Sequence, residues 1–176
     1  DCLPYGCVPS KTLLKSAHGY QQMQNAARYG LPEVAVARVD FAQIRERIQR
    51  VIADIQPHDS PERFCQLGAA VQFGRAEFID QHQVRIQDPA GRSTKVSAKT
   101  WVVATGSTAA VPAVPGLAQT PYLTNRELFS LDELPSCLVI IGGGPIAVEM
   151  AQAFARLGAQ VHVIQRSTQI LSREDP

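Results

Sequence analysis

The chain has 176 residues, 45% of them hydrophobic, and a formal net charge of +1 at pH 7. This content suffices for one large or two small packed domains, and the scattered, nearly balanced charges predict no binding to nucleic acid or to an anionic membrane. No apolar run approaches the ~20 residues of a membrane span, and four cysteines are too few for a disulfide scaffold, so we expect a cytoplasmic protein.

Two cysteines, Cys2 and Cys7, open the chain in the run CLPYGCVPSK. Residues 7–29 are predicted to form a long helix, which places Cys7 in the first helical turn. Unpaired N–H groups and the positive end of the helix dipole stabilise a thiolate there. The spacing by itself suits a reversible disulfide, a structural disulfide or two unrelated thiols.

Two further helices are predicted before the pattern changes to strands. Apolar residues recur at helical spacing over residues 41–56. Ser60 and Pro61 predict the N-cap and first position of a short helix that ends at Gly68. Beyond it the hydrophobic period shortens, and short strands are predicted around Val71, Phe73, Phe78, Val84, Ile86 and Val96.

A buried strand is predicted at residues 101–104, directly before Thr105, Gly106 and Ser107. A strand that ends in Thr-Gly-Ser is, on its own, a common turn. Residues 109–121 are rich in proline and predict a connection between domains.

The last third of the chain predicts a strand–turn–helix–strand unit. A fully buried strand at residues 138–141 leads into the run GGGPIA, a helix follows over residues 145–157, and a second strand covers residues 161–164. This order of elements distinguishes a dinucleotide-binding turn from an isolated match to the pattern G-x-G-x-x-[GA].

Each small residue of the glycine turn has a role in such a site. Gly142 permits the tight turn, Gly144 lets the backbone approach a pyrophosphate, and Ala147 lets the helix pack closely on the strand. The helix N-terminus supplies N–H groups for the phosphates. The alternative is a glycine turn in an ordinary α/β unit.

The residues after the second strand bear on which coenzyme is bound. An acidic residue there accepts hydrogen bonds from the ribose 2′-OH of NAD and repels a 2′-phosphate. This chain has Gln165 and Arg166, which remove the repulsion and add a charge-assisted contact. The pair favours NADP(H) over NAD(H), unless Arg166 is a solvated surface charge.

The three motifs together resemble the class I pyridine nucleotide–disulfide oxidoreductases, FAD-dependent enzymes that include dihydrolipoamide dehydrogenase, glutathione reductase and mercuric reductase. The CxxxxC run, the ATGS at residues 104–107 and the glycine turn stand in that family's order and spacing. The redox segment departs from the usual form at Pro4, where asparagine is common. Residues 58–64 and 121–125 are most similar to mercuric reductases. The resemblance implies an α/β, FAD/NAD(P)-binding Rossmann-like fold, incomplete at both ends.

The resemblance also implies roles for individual residues. Cys2 matches the interchange thiol that meets the substrate, and Cys7 the thiol beside the flavin, so that the two form a redox-active disulfide. Lys11 matches a lysine near the flavin, and Glu149 an acidic residue near the nicotinamide that can pair with it, although both also suit a helix surface. Thr105, Gly106 and Ser107 match the family's segment that lies beside the FAD nucleotide.

The remaining candidates are expected to be structural. Cys65 and Cys137 match no motif and are predicted to lie in the core. The four histidines have no spacing typical of zinc, so no metal site is predicted.

By resemblance, residues 1–112 are the remainder of an FAD-binding domain and residues 113–176 the first βαβ part of an NAD(P)-binding domain. The implied full-length protein is a homodimer that passes electrons from NAD(P)H through FAD and the disulfide to a small-molecule or metal-ion substrate. The resemblance to mercuric reductases makes Hg(II) the first candidate substrate. The alternatives are a dihydrolipoamide dehydrogenase and a non-catalytic redox or soft-metal-binding module. The 176-residue piece is expected to be inactive alone.

Overall fold

The computed structural model describes residues 2–172, which fall into two compact units. One unit contains the residues up to Ile55 and those from Ala109 onward, and the other is Gln56–Thr108. In chain order the helices and strands are α1 (Cys2–Tyr5), α2 (Cys7–Gln24), α3 (Phe41–Ile55), α4 (Pro61–Gln66), β1 (Arg75–Phe78), β2 (Gln83–Gln87), β3 (Ser93–Ser97), β4 (Cys137–Ile141), α5 (Pro145–Leu157) and β5 (Gln160–Ile164).

Helix α2 begins at Cys7, as predicted, but is shorter than predicted. It ends at Gln24, and a 3₁₀ turn covers Ala26–Tyr29. The side chain of Asn25 donates to the carbonyl of Gln21 (2.8 Å), and such a local bond competes with helix continuation. Gly30, with φ of 71°, then closes the turn.

The core of the first unit is formed by the apolar faces of three helices. Leu13 of α2, Ile48 of α3 and Phe154 of α5 are each 0% exposed. The rings of Phe41 and Phe154 stack with their centroids 5.7 Å apart. Helices α2 and α5 therefore share one core, although they come from opposite ends of the chain.

Strands β4 and β5 pair in parallel, with Leu138 opposite Val161, and α5 connects them. Leu138 and Ile140 pack against the core, whereas Val139 is 52% and Ile141 48% exposed. The prediction of a fully buried strand is therefore wrong. The helix covers one face of the two-stranded sheet, so alternate side chains of β4 remain half exposed.

The second unit contains the short helix α4 and an antiparallel sheet in the order β1–β2–β3. The hydroxyl of Ser60 accepts a hydrogen bond from the backbone N–H of Arg63 (3.2 Å), which confirms the predicted N-cap. The helix ends at Gln66, shortly before Gly68. Val84, the buried residue of this sheet, pairs with Phe78 on one side and Val96 on the other.

Two predicted strands of this unit do not form. Residues 71–73 and 101–104 carry no strand, and Phe73, Val102 and Val103 are 69%, 88% and 70% exposed. A strand requires a neighbour that satisfies its backbone groups, and within residues 2–172 the two sheets contain only β1–β3 and β4–β5. The predictions of strands at both places and of a buried strand at residues 101–104 are therefore wrong, because the described residues supply no pairing partner.

Candidate functional site

Cys2 and Cys7 form a disulfide with their Cα atoms 4.7 Å apart, within the range usual for such bonds. The short helix α1 turns the chain back so that Cys2 reaches the start of α2. Both cysteines are exposed on this chain. A disulfide of this kind accepts two electrons and two protons to give two thiols.

The start of α2 has no side-chain cap. Gly6 occupies the N-cap position without a side-chain hydrogen bond, and the N–H of Ser10 bonds to the Gly6 carbonyl (3.1 Å). The N–H groups of the first helical turn have no intrahelical acceptors. They stabilise a thiolate on Cys7 once the disulfide opens.

The loop between the cysteines is also contacted by a distant segment. The side-chain amide of Asn125 donates to the carbonyl of Tyr5 (2.9 Å), and the guanidinium carbon of Arg126 lies 5.2 Å from the centre of the Tyr5 ring. Neither residue was predicted to contact the cysteine segment. Asn125 lies in the segment 121–125 that resembles mercuric reductases, but a local pattern does not reveal a contact between residues so far apart in the chain.

A small hydrogen-bonded turn holds Asn125 and Arg126 in place. The Glu127 carboxylate accepts from the hydroxyl of Thr124 (2.7 Å) and from its backbone N–H (2.8 Å). These bonds, the side-chain bond above all, hold the pKa of Glu127 below its ordinary value. The arrangement resembles a capping box, in which both ends of one turn are fixed by side chains.

An ion pair joins two of the predicted residues across the first unit. The ammonium of Lys11 on α2 lies 2.5 Å from a carboxylate oxygen of Glu149 on α5. The side chains are 62% and 34% exposed, so both remain accessible. The pair links the helix that starts at the Cys2–Cys7 disulfide to the helix that starts at the glycine turn.

The three glycines of the turn differ in why they are needed. Gly142 has φ of 124° and donates to the Ile164 carbonyl (2.9 Å), a conformation that favours glycine. A Cβ on Gly143 would lie 2.8 Å from the side chain of Gln165. Gly144 has φ of −79°, and a Cβ there would have nothing within 4 Å. Neither the backbone conformation of Gly144 nor the packing of protein atoms around it requires glycine at this position. The space beside it is therefore available to a ligand.

The glycine turn opens onto a mainly apolar cavity of about 840 Å³, a size typical of ligand sites. Gly142, Gly144 and Ala147 line it at one end. Asn125 also lines it, so the cavity adjoins the segment that contacts the redox loop.

Gln165 and Arg166 follow β5, as predicted, but their side chains differ in setting. The amide of Gln165 donates to the hydroxyl of Ser167 (2.8 Å) and to the carbonyl of Gln169 (3.3 Å). Gln165 therefore organises its own loop over Gly143. Arg166 is exposed and available to a phosphate.

The other candidates are placed as follows. Thr105, Gly106 and Ser107 belong to the second unit, and Gly106 has φ of 75°. Cys65 and Cys137 are free thiols and are exposed, so their predicted core positions are wrong. Helix α4, which contains Cys65, has no buried residue, and β4, which contains Cys137, has α5 on one face only.

Residues 2–172 contain neither a candidate metal cluster nor a candidate membrane-spanning helix. No group of three or more His, Cys, Asp or Glu residues there could hold a metal ion. None of the described helices has the length and apolar character needed to cross a membrane.

Comparison with known proteins agrees with this geometry. Residues 1–176 match the family described as pyridine nucleotide-disulphide oxidoreductase. The chain belongs to this family. It is therefore an α/β protein of the FAD/NAD(P)-binding type, and members of the family are oxidoreductases that use FAD and NAD(P)H.

Among curated relatives, a mercuric reductase of Staphylococcus aureus is 31% identical over 175 residues, which are 99% of this chain and 31% of that protein. The mercuric reductase of Streptomyces lividans is 33% identical, with 99% and 37% covered. The chain thus spans about a third of the length of these relatives.

Two solved structures are similar in fold. The flavoprotein disulfide reductase RclA of Escherichia coli, in its Cu(II) complex, has a TM-score of 0.76 and 30% identity, with 99% of this chain and 35% of that chain covered. LpdA of Mycobacterium tuberculosis has a TM-score of 0.77 and 26% identity, with 96% and 37% covered.

The residues present fit the cofactors of this family. The open space at Gly144 and the start of α5 suit the pyrophosphate of a dinucleotide. On α2, the exposed sulfur of Cys7 and the accessible ammonium of Lys11 are groups that suit a flavin.

Proposed function

We propose that this chain carries the redox disulfide and the start of the coenzyme site of an NAD(P)H-dependent flavoprotein disulfide oxidoreductase. The observation that supports it most is the Cys2–Cys7 disulfide at the start of α2, joined through Lys11 and Glu149 to the helix of the glycine turn. A purely structural disulfide would not need this connection.

The two cysteines have different roles in this proposal. Cys2 is the interchange thiol that attacks or receives the substrate, and Cys7 is the flavin-side thiol. The hydride equivalent of one NAD(P)H, which is two electrons and one proton, reduces the disulfide to the Cys2 thiol and the Cys7 thiolate, and the pair then passes two electrons to the substrate and returns to the disulfide. The N-terminus of α2 holds Cys7 as a thiolate between these steps.

We propose the cofactor contacts residue by residue. FAD, when bound, passes the electron pair between the nicotinamide and the disulfide. Residues 1–112 belong to its domain and residues 113–176 to the NAD(P) domain. The residues that contact FAD are Lys11, Thr105, Gly106 and Ser107. The nicotinamide coenzyme is held by Gly142, Gly144, Ala147, Glu149, Gln165 and Arg166.

For the substrate, we propose soft-metal chemistry, with Hg(II) as the first candidate. Its support is the group of relatives named mercuric reductase and the Cu(II) complex of the similar RclA. The similarity to LpdA supports a dihydrolipoamide dehydrogenase as the second candidate. The full-length protein is proposed to act as a homodimer.

The cysteine roles are tested in the full-length, FAD-loaded protein. We expect Cys2→Ser to retain a long-wavelength thiolate-to-flavin absorbance and Cys7→Ser to lose it, because only Cys7 is on the flavin side. Both variants should lose disulfide-dependent turnover. Cys65→Ser, which changes an exposed free thiol, is the matched control. Normal turnover in both redox variants would refute the proposal.

The coenzyme preference is tested at Arg166. We expect the full-length enzyme to prefer NADPH, and Arg166→Ala to lower that preference about tenfold, since a charge-assisted phosphate contact is worth ~1.5–3 kcal/mol. Steady-state kcat/KM with each coenzyme measures it, and the exposed Arg50 supplies the control variant Arg50→Ala. If the wild-type enzyme prefers NADH, Arg166 does not contact a 2′-phosphate and the proposed role is wrong.

A further inference from the structure

Polar contacts from a distant segment reach the residues between the two cysteines. Pro4 has no backbone N–H, and its side chain offers neither donor nor acceptor. Two of the contacts that reach these residues from elsewhere lie at Tyr5, where Asn125 bonds to the carbonyl and Arg126 stacks on the ring. One residue of the loop is thus held through both its backbone and its side chain.

The segment that holds Tyr5 is itself rigid. Thr124 and Glu127 close a turn through two hydrogen bonds of 2.7 and 2.8 Å, and the N–H of Leu128 bonds back to the Thr124 carbonyl (3.1 Å). Asn125 and Arg126 are the two central residues of this turn. Their side chains therefore approach Tyr5 from a fixed backbone.

From this geometry we propose that Asn125 and Arg126 are positioning residues for the redox disulfide. They hold Tyr5 so that Cys2 stays close to Cys7 after the disulfide opens to two thiols. The inference rests on the proposed function for its biological meaning, because a structural disulfide would never need to open and close.

The physical consequence concerns the equilibrium between disulfide and dithiol. A loop fixed at its centre loses less conformational freedom when the bond forms again, so the effective concentration of one thiol at the other is high. Without the two contacts the dithiol gains freedom and the disulfide becomes easier to reduce. The reduction potential of the pair should therefore rise.

The test measures this equilibrium in the purified protein with neither coenzyme nor substrate added. The protein is equilibrated in dithiothreitol buffers, free thiols are trapped with iodoacetamide, and the peptide with Cys2 and Cys7 is quantified by mass spectrometry. We expect Asn125→Asp, which keeps the shape but cannot donate, and Arg126→Leu each to lower the effective concentration about three- to tenfold, given the size of one hydrogen bond or one cation–π contact. Tenfold corresponds to about 30 mV.

Matched variants separate positioning from general destabilisation. Tyr5→Phe keeps both the ring and the carbonyl and should behave as wild type. Tyr5→Leu should shift the reduction potential as much as Arg126→Leu does. Adding Arg126→Leu to Tyr5→Leu should then cause no further shift. Arg28→Leu removes another exposed arginine of the same unit and should leave the potential unchanged.

These measurements can refute the positioning role without refuting the proposed function, because they do not depend on NAD(P)H-dependent turnover. The positioning role is overturned if Asn125→Asp and Arg126→Leu both keep the disulfide–dithiol equilibrium constant within about twofold of wild type. This holds even if the enzyme turns over normally. An equal shift in Arg28→Leu would overturn it as well. A shift confined to the Tyr5 contacts supports it, whether or not NAD(P)H-dependent turnover is observed.

Discussion

At the scale of single residues, the glycine turn shows how one pattern combines different requirements. Gly142 is needed for a positive φ, Gly143 for its contact with Gln165, and Gly144 for neither reason. A sequence match treats the three alike. At Gly144 no protein atom lies within 4 Å of where a Cβ would stand, and this open space supports the proposed pyrophosphate contact there.

This distinction gives a prediction for Gly144→Ala and Gly143→Ala. Gly144→Ala should leave stability near that of wild type and weaken NADPH binding about tenfold or more, an energy of about 1.4 kcal/mol, because the methyl group meets the pyrophosphate. Gly143→Ala should cause only a small loss of stability, because its methyl group displaces the flexible end of the Gln165 side chain from its bonds to Ser167 and Gln169. Thermal unfolding and coenzyme titration of the full-length protein measure both properties.

The control for Gly143→Ala is a second change at its neighbour. Gln165→Ser shortens the side chain that a Cβ at position 143 would meet at 2.8 Å. It should therefore recover stability in the double variant. If Gly144→Ala binds NADPH as well as wild type does, the open space is not the coenzyme site.

At the scale of elements, the turn from Thr124 to Glu127 depends on an ionised carboxylate. The pKa of Glu127 is lowered from its ordinary value of 4.5, first by the hydrogen bond from the Thr124 side chain. A lowered folded-state pKa gives stability that is fully present above the ordinary value. That stability is lost as the pH falls through the folded-state pKa.

Glu127→Gln should therefore destabilise the protein at neutral pH and should cease to do so in acid. Urea unfolding at about pH 7 and about pH 3 measures the difference from wild type at each pH. Asp88→Asn is a useful comparison, since the Arg92 side chain lowers the pKa of Asp88 in the second unit. A gap between Glu127→Gln and wild type that persists in acid would contradict the prediction.

The sequence predicted the helices better than the strands. The helical periods of α3 and α5 and the cap at Ser60 are local, and the structure confirms them. The stretch at residues 101–104 was predicted as a strand, but pairing depends on a partner that a local pattern does not reveal. For the same reason the contact of Asn125 with Tyr5, between residues far apart in the chain, could not be predicted.

The candidate site shows a similar division. The cysteines, the glycine turn and the pair of Lys11 with Glu149 were named from motifs, and the structure brings Cys2 to Cys7 and Lys11 to Glu149. Their cofactor roles stay predictions. The side chain of Gln165 donates to Ser167 and Gln169, two contacts that the motif did not predict, and its place beside the ribose stays a prediction.

At the scale of the whole molecule, the shared core of α2, α3 and α5 determines where the functional elements lie. Leu13 is wholly buried between these helices. Leu13→Ala should lower the free energy of unfolding by about 2–5 kcal/mol, through lost apolar contact and the cavity left behind. Urea unfolding measures this loss.

Val139→Ala is the matched control, because Val139 is 52% exposed on the uncovered face of β4. Its cost should be much smaller, since partly exposed side chains lose less on truncation. Equal losses for the two variants would show that the three helices do not form the main core.

The close packing of α2 on α5 also limits how this chain can be recombined with its relatives. A chimera that imports β4, α5 and β5 to change coenzyme use would bring a new apolar face against Leu13 and Ala17 of the resident α2. It would also bring a new partner for Lys11. The interchangeable piece is therefore not the coenzyme motif alone but that motif together with α2, and a successful exchange should carry the redox cysteines with it.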